Sequence, residues 1–315
     1  MSHVVVAGGA GFLGSHLCDY FIARDDTVVC LDNLSTGSRH NVEHLIGNEH
    51  FQYIVSDVSE KVELGDDRHV DAVCHLASPA SVPGYLSRPL ETLAVGSEGT
   101  RHLLELARVH EARFLMASTS EIYGDPLVHP QVESYRGNVD PTGPRSVYDE
   151  AKRFAEALTT AYRRTYGLDT KIVRIFNTYG PRLAAGDGRV ISNFIAQALR
   201  GKPLTIYGDG TQTRSPCYVD DEIAGLVALL DSSISGPVNI GNPDEHTVLE
   251  LAALVLEVTG ASSGLVFEPL PIDDPTRRRP DITLAQTELG WSPTVDLRDG
   301  IGRMAEYLAP IVKAS

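Results

Sequence analysis

What is scarce in this chain narrows its function first. Four cysteines (Cys18, Cys30, Cys74 and Cys217) are scattered along 315 residues, mostly within apolar helix or strand patterns. Their spacing matches neither a zinc site nor a disulfide framework, so no metal is expected and a reducing compartment is the expected setting. Basic residues are the minority, 27 against 42 acidic ones, which leaves a net charge of -15. That balance argues against nucleic acid or an anionic membrane as a partner, because both reward a basic face. No apolar run approaches the roughly 18 residues of a membrane span. Met1 leads at once into V-V-V-A, without the charged segment and apolar run of a signal peptide. A soluble, cytoplasmic protein is therefore the expectation. Repeats and low-complexity tracts are absent as well.

With 42% hydrophobic residues over this length, the chain can bury a full core, as one large domain or two closely joined ones. A short apolar run at residues 4–7 is followed by G-G-A-G-F-L-G and then a helical pattern from Ser15 to Arg24. In that strand–turn–helix context the glycines have physical work to do. Gly8 or Gly9 permits the tight turn, Gly11 lets backbone N–H groups approach a pyrophosphate, and Gly14 allows close helix–strand packing. The next strand, T-V-V-C-L, ends in Asp32, where a carboxylate would accept hydrogen bonds from an adenosine ribose. An acid there disfavours a 2′-phosphate, so NAD is the expected cofactor. Asp57, after a third strand at residues 51–55, either touches adenine or caps the following segment. His75 ends a fourth strand and reads as a structural residue.

The stretch from Ala117 to Glu156 carries the chemistry. A-S-T-S-E-I-Y-G follows a fifth strand and delivers Ser118, Thr119, Ser120 and Glu121 to its carboxyl end, where doubly wound sheets bind ligands. A turn-rich connector at 129–144 reads as a loop over the site. Y-D-E-A-K then places Tyr148 four residues before Lys152, on one face of a helix. The Lys152 ammonium is expected to lower the phenol's pKa and make Tyr148 an acid/base group, with Thr119 positioning a substrate hydroxyl and Glu121 holding or passing a proton. The helical stretch from Pro89 to His110 is expected to pack on the sheet or on another subunit.

After a sixth strand at 170–176 the composition changes. Arginines at 182, 189, 214, 277, 278 and 279 all lie in this second part and could hold a diphosphate or carboxylate through bidentate hydrogen bonds. P-V-N-I-G at 237–241 reads as a strand returning to the main sheet. The expected fold is α/β: a doubly wound (Rossmann), mostly parallel sheet with a smaller interleaved α/β substrate domain. The nucleotide-binding part covers 1–182, with segments returning at about 215–241, and the substrate domain covers 183–315, discontinuously.

The quoted stretches, together with H-L-A-S-P-A-S, H-P-Q at 129–131, R-I-F-N-T-Y-G-P-R, D-G-R-V-I-S-N-F-I, Y-G-D-G-T-Q-T-R, N-I-G-N-P and R-R-R-P-D-I, resemble the extended short-chain dehydrogenase/reductase family over nearly the whole chain. Within it the chain looks most like the UDP-glucuronate decarboxylases. Sugar 4,6-dehydratases carry an acidic residue where this chain has Ser120, so dehydration loses its acid. The resemblance implies oxidation at C4 of UDP-glucuronate by bound NAD, loss of CO2, and re-reduction to UDP-xylose with no net redox. A UDP-glucuronate 4-epimerase is the alternative, and an NAD-binding protein without catalysis a remote one. The implied catalytic set is Thr119, Glu121, Tyr148, Lys152 and Arg278. NAD contacts are implied for Gly8, Gly11, Phe12, Leu13, Gly14, Asp32, Asn33, Asp57, Val58, Leu76, Ala77, Tyr148 and Lys152. UDP-sugar contacts are implied for Pro79, Tyr85, Ser120, Asn177, Arg182, Arg189, Val190, Tyr207, Arg214 and Arg278, and family members are commonly homodimers. The chain departs from the usual decarboxylase pattern at Ala7, Arg136, Val147, Ala151 and Pro216, and none of these positions removes a catalytic group.

Overall fold

A computed structural model describes residues 1–64, 68–270 and 277–314 of the chain, so the end of the expected 183–315 domain lies outside it. The first half alternates strand and helix. β1 (His3–Ala7) leads to α1 (Phe12–Ala23), β2 (Thr27–Asp32), β3 (Phe51–Val55) and β4 (Ala72–His75). Then come α2 (Val82–Ser87), α3 (Pro89–Ala94), α4 (Thr100–Val109), β5 (Arg113–Thr119), α5 (Ser146–Tyr166) and β6 (Thr170–Ile175). β1, β2 and β4 are near-continuous runs of Val, Ala, Cys and Leu with almost every side chain buried, the pattern of strands covered on both faces.

The second half is built differently. β7 (Thr178–Tyr179) pairs with β10 (Cys217–Tyr218), β8 (Leu204–Tyr207) with β13 (Leu265–Glu268), and β9 (Thr213–Arg214) with β12 (His246–Thr247). Around these small ribbons lie α6 (Val190–Leu199), α7 (Val219–Asp231), α8 (Val248–Thr259), α9 (Thr283–Leu289) and α10 (Leu297–Ala314). β11 (Val238–Ile240) leaves this group and pairs parallel with β6. The main sheet therefore has seven parallel strands in the order β11-β6-β5-β4-β1-β2-β3. Its order reverses between β1 and β4, and that switch point opens a crevice at the carboxyl ends of the strands.

Two local differences from the sequence reading have physical causes. The first helix starts at Phe12 rather than Ser15, because Gly11 adopts extended backbone and serves as its N-cap. The expected helix from Pro89 to His110 is interrupted by a π-helical turn at Val95–Gly99. That turn brings Gly96 against α5, where a side chain would meet the Ala151 Cβ at 2.6 Å. The close approach anchors the helix that carries Tyr148 and Lys152. The four cysteines are free and buried in the core.

Candidate active site

The crevice is a cleft of about 620 Å³ between the glycine turn, the end of β5, the start of α5 and the loop at 182–189. A smaller cavity continues it past the end of β2. The glycine turn forms a cradle that side chains would fill. A Cβ on Gly14 would stand 2.0 Å from the Gly8 carbonyl oxygen, and one on Gly8 would stand 2.6 Å from the Ala77 nitrogen. Gly8 also takes a φ of +78°, a conformation that glycine adopts without a Cβ penalty. At the end of β2 the Asp32 carboxylate accepts from the backbone N–H groups of Ala10 (2.9 Å) and Leu34 (2.8 Å), which fixes it beside the turn. A glycine cradle at a helix start with a fixed acid at the neighbouring strand end fits an adenine dinucleotide with an unphosphorylated ribose.

Every residue expected to hold that group lines one or other cavity. Phe12, Leu13, Gly14, Tyr148 and Lys152 face the larger. Asp32, Asn33, Asp57, Val58 and Ala77 face the smaller, while Gly8, Gly11 and Leu76 border both. Asp57 also caps the turn after β3, accepting from the Ser59 N–H at 2.9 Å, and receives the Asn33 amide at 2.9 Å. His75 is fully buried, with Nε2 3.1 Å from the Thr100 hydroxyl, and burial lowers its pKa to about 3. It is a structural residue.

At the substrate end the parallel pairing of β5 with β6 sets Thr119 at the mouth of the cleft, and the first turn of α5 sets Tyr148 opposite. Tyr148 is 5% exposed. Burial raises its phenol to about 12, and the Thr119 hydroxyl pulls the other way. The Lys152 Nζ donates to the Ala117 carbonyl at 2.8 Å and stands 5.8 Å from the centre of the Tyr148 ring. Burial lowers Lys152 itself to about 8.

Glu121 behaves in the opposite way. Burial raises its pKa, but the Arg278 and Arg145 guanidiniums more than reverse that and hold it at about 2. Arg145 Nη2 donates to Oε2 at 2.5 Å, and Arg278 Nη1 donates to Oε1. Glu121 is thus held as a carboxylate between two guanidiniums in this structure. Tyr85, expected at the substrate, lines neither cavity; its ring stacks on Tyr148 at 5.1 Å, with the planes 7° apart.

The arginines do not form one cluster. Arg182 and Arg189 line the cleft with Ser120 and Asn177, and Arg189 reaches the Ala80 carbonyl on the opposite wall at 3.2 Å. Pro79 borders the smaller cavity. Arg278 sits under the floor with Glu121, and Arg279 is tied through its N–H to the Gln131 side chain. Val190, Tyr207 and Arg214 do not line either cavity; Tyr207 is 43% exposed at the end of β8 and Arg214 lies on the β9–β12 ribbon. Sequence reasoning missed Tyr307, Leu308 and Ile311 of α10, which close one wall of the cleft. It also missed Arg145 and Asp149. The i, i+4 spacing of those two, from the N-cap of α5 into its first turn, was the available signal.

Comparison with known proteins gives the same picture. A model of the NAD dependent epimerase/dehydratase family matches residues 4–241. UDP-glucuronic acid decarboxylase 1 of Danio rerio is 49% identical over 306 residues, covering 97% of this chain and 72% of that protein. UDP-glucuronic acid decarboxylase 2 of Arabidopsis thaliana is 52% identical over 303 residues, covering 96% and 67%. Among solved structures, a UDP-glucuronic acid 4-epimerase from Bacillus cereus, in complex with UDP-glucuronic acid and NAD, superimposes with a TM-score of 0.86 at 30% identity, covering 98% of this chain and 99% of that one. The UDP-glucose 4-epimerase of Thermotoga maritima does so with a TM-score of 0.89 at 29% identity and the same coverage. The glycine cradle, the Tyr148–Lys152 helix and the matched span agree, and the chain belongs to the NAD dependent epimerase/dehydratase family.

Proposed function

We propose that this protein decarboxylates UDP-glucuronate to UDP-xylose, with NAD as a resident cofactor. The carrying observation is the charge cluster of Glu121, Arg145 and Arg278 directly beside the Thr119–Tyr148 pair. Relatives about half identical over 96% or more of the chain, named as UDP-glucuronic acid decarboxylases, support it.

NAD, held by the glycine cradle and Asp32, supplies reversible two-electron oxidation at C4 of the sugar. Thr119 and Tyr148 bind the C4 hydroxyl, and Tyr148, as the phenolate that the Lys152 ammonium and the bound cofactor's positive charge would favour, accepts its proton as the C4 ketone forms. The C5 carboxylate is now β to a ketone. The bond from C5 to the carboxyl carbon breaks, CO2 leaves, and its electron pair passes into an enolate whose oxygen Tyr148 stabilises. Protonation at C5 from solvent leaves the 4-ketone, which takes back at C4 the two electrons removed in the first step and at its oxygen the proton from Tyr148, so that UDP-xylose forms with no net redox. Asn177, Arg182 and Arg189 hold the UDP part from the cleft wall. Lys152 keeps a positive charge behind Tyr148 and is anchored by the Ala117 carbonyl.

The functional unit in this proposal is a homodimer. Leu86, Leu90, Leu93 and Phe154 are 39–76% exposed on the adjoining helices α2, α3 and α5. Phe154→Glu with Leu90→Glu is expected to halve the mass found by light scattering. An unchanged mass would remove this face as the interface.

The activity is tested by incubating purified protein with UDP-glucuronate, with and without added NAD, and weighing the nucleotide sugar by mass spectrometry. A product lighter by one CO2 is expected. An isobaric product would make the protein a 4-epimerase instead.

A further inference from the structure

Asn239 is fully buried on β11, the strand that returns from the second half of the chain to the edge of the main sheet, and nothing in the reaction described above uses it. Its in-register partner on β6 is Arg174, which is buried as well. The buried Tyr123 hydroxyl links the two. Arg174 Nη1 donates to that hydroxyl at 2.9 Å, and the hydroxyl donates to Asn239 Oδ1 at 2.8 Å. Asn239 Nδ2 donates in turn to the backbone carbonyls of Gln131 at 2.9 Å and Asp281 at 3.2 Å. Each direction is forced. A guanidinium only donates and a carbonyl only accepts, and burial holds the phenol up at about 12, so the hydroxyl keeps the proton it passes forward.

This hydrogen-bonded string touches both segments that build the charge cluster. Tyr123 closes the short turn Ser120–Tyr123, which also carries Glu121. Gln131 pairs with the residues that follow Arg278. Its N–H donates to the Arg279 carbonyl, its carbonyl accepts from the Asp281 N–H, and its side-chain oxygen accepts from the Arg279 N–H, each at 2.9 Å. The Asn239 amide spans that pairing with its two N–H bonds and holds the Glu121 turn with its oxygen. Arg278 then donates to Glu121 Oε1 through Nη1, and to the Gly124 carbonyl through Nη2 at 3.2 Å. We infer that Asn239, acting through Tyr123, is a positioning residue for the sugar carboxylate: it keeps the Glu121 turn and the Arg278 segment in one register, and with them the charge cluster beside Thr119 and Tyr148. This inference rests on the decarboxylase reading, in which the C5 carboxylate comes to that cluster because C5 neighbours the C4 carbon.

The arrangement gives the returning strand a task. β11 adds only three residues to the sheet, and its pairing with β6 is what sets Asn239 opposite Arg174. Arg174 is anchored by a two-point pairing with Glu156 of α5, at 2.9 and 2.8 Å. Glu156 also accepts from the Ser118 hydroxyl on the cleft wall at 2.6 Å. The string therefore starts on the helix that bears Tyr148 and Lys152 and ends beside Arg278. Both N–H groups and the oxygen of the Asn239 amide are engaged, which fixes its rotamer, and a side chain fixed in this way holds its neighbours in place.

The test compares KM for UDP-glucuronate with Ki for UDP-xylose, which carries the same UDP and ring but no carboxylate, on the NAD-loaded enzyme. Tyr123→Phe removes one hydroxyl and keeps the ring that packs on Tyr135 and Phe176. Asn239→Ala removes the amide itself. In each variant KM is expected to rise about tenfold while Ki changes by less than about twofold, because a misplaced cluster is felt by the carboxylate alone. A folded variant in which KM and Ki rose together, or in which neither moved, would overturn the inference and leave Asn239 a structural group. Hydrogen exchange of the amides at 123–131 and 278–281 is followed as well, in the Tyr148→Phe background so that the substrate persists. UDP-glucuronate is expected to slow that exchange more than UDP-xylose does. Equal protection by the two ligands would overturn the inference even if neither variant folded. Absence of CO2 release from UDP-glucuronate by the unaltered enzyme would instead defeat the decarboxylase reading, and the exchange comparison would still decide the inference.

Discussion

Two patches of one cleft floor respond to burial in opposite ways. At Tyr148 and Lys152 burial is the largest cause, raising the phenol to about 12 and lowering the ammonium to about 8. Both groups are pushed toward their neutral forms. At Glu121 burial pushes the same way, yet two guanidiniums overrule it and keep the carboxylate charged down to about 2. Taking charge out of water is costly everywhere in such a site, and what differs is whether a counter-ion is built in. The first patch is left uncompensated until ligands arrive, which suits groups that must move protons. The second is compensated in advance, which suits groups that must hold charge still.

Substituting the proton-moving patch tests the first half of that contrast. Tyr148→Phe is expected to lower kcat by about 10² to 10⁴-fold, with a stability change within about 1 kcal/mol, read from steady-state kinetics and a denaturant melt. A large loss of stability would mean that the phenol is a structural group.

The charge-holding patch should show the reverse emphasis. Glu121→Gln removes the carboxylate that Arg145 and Arg278 share and is expected to cost about 3–5 kcal/mol of unfolding free energy. Because the folded-state pKa of Glu121 lies below its ordinary 4.5, its contribution is intact above that pH and is lost as the pH falls toward 2. The Gln variant should therefore approach the unaltered protein in acid, and a gap that stayed constant with pH would contradict this.

Asp149 sits between the two patches and gives the smallest effect. Its pKa is raised from 3.8 to about 7, so its contribution is full below 3.8 and lost as the pH rises through 7. Asp149→Asn should gain in Tm relative to the unaltered protein between about pH 4 and about pH 7 and level off above that. A falling or flat difference would show that Asp149 is ionised in the folded protein at neutral pH.

The contrast also explains which parts of the molecule were legible in the sequence. Gly8, Gly11, Gly14 and Asp32 declared themselves because one strand–turn–helix unit and the next strand contain them all. The Tyr148–Lys152 spacing was equally local, and the sheet followed from apolar strands alternating with helices. What the local pattern could not give was the environment: the spacing placed Lys152 near the phenol, while its bond to the Ala117 carbonyl comes from a strand 35 positions away. The cluster at Glu121 depends on Arg145 and Arg278, which lie 24 and 157 positions away, so no window of sequence contains it. Arg214 and Tyr207 illustrate the converse. Their motifs are distinctive, but their ribbons stand apart from the cleft. The wall made by α10 had no signal beyond an amphipathic helix.

The central claim is that Tyr148 and the Glu121 cluster together carry out a closed oxidation, decarboxylation and reduction at C4 and C5. The most direct measurement runs the reaction on UDP-glucuronate in deuterium oxide and follows CO2, carbon-bound deuterium in the sugar, and reduced-nicotinamide absorbance. One CO2 per substrate, one deuterium at C5 and no lasting absorbance is the predicted result. A product that retains the carboxylate and is inverted at C4, with no deuterium on carbon, would contradict it.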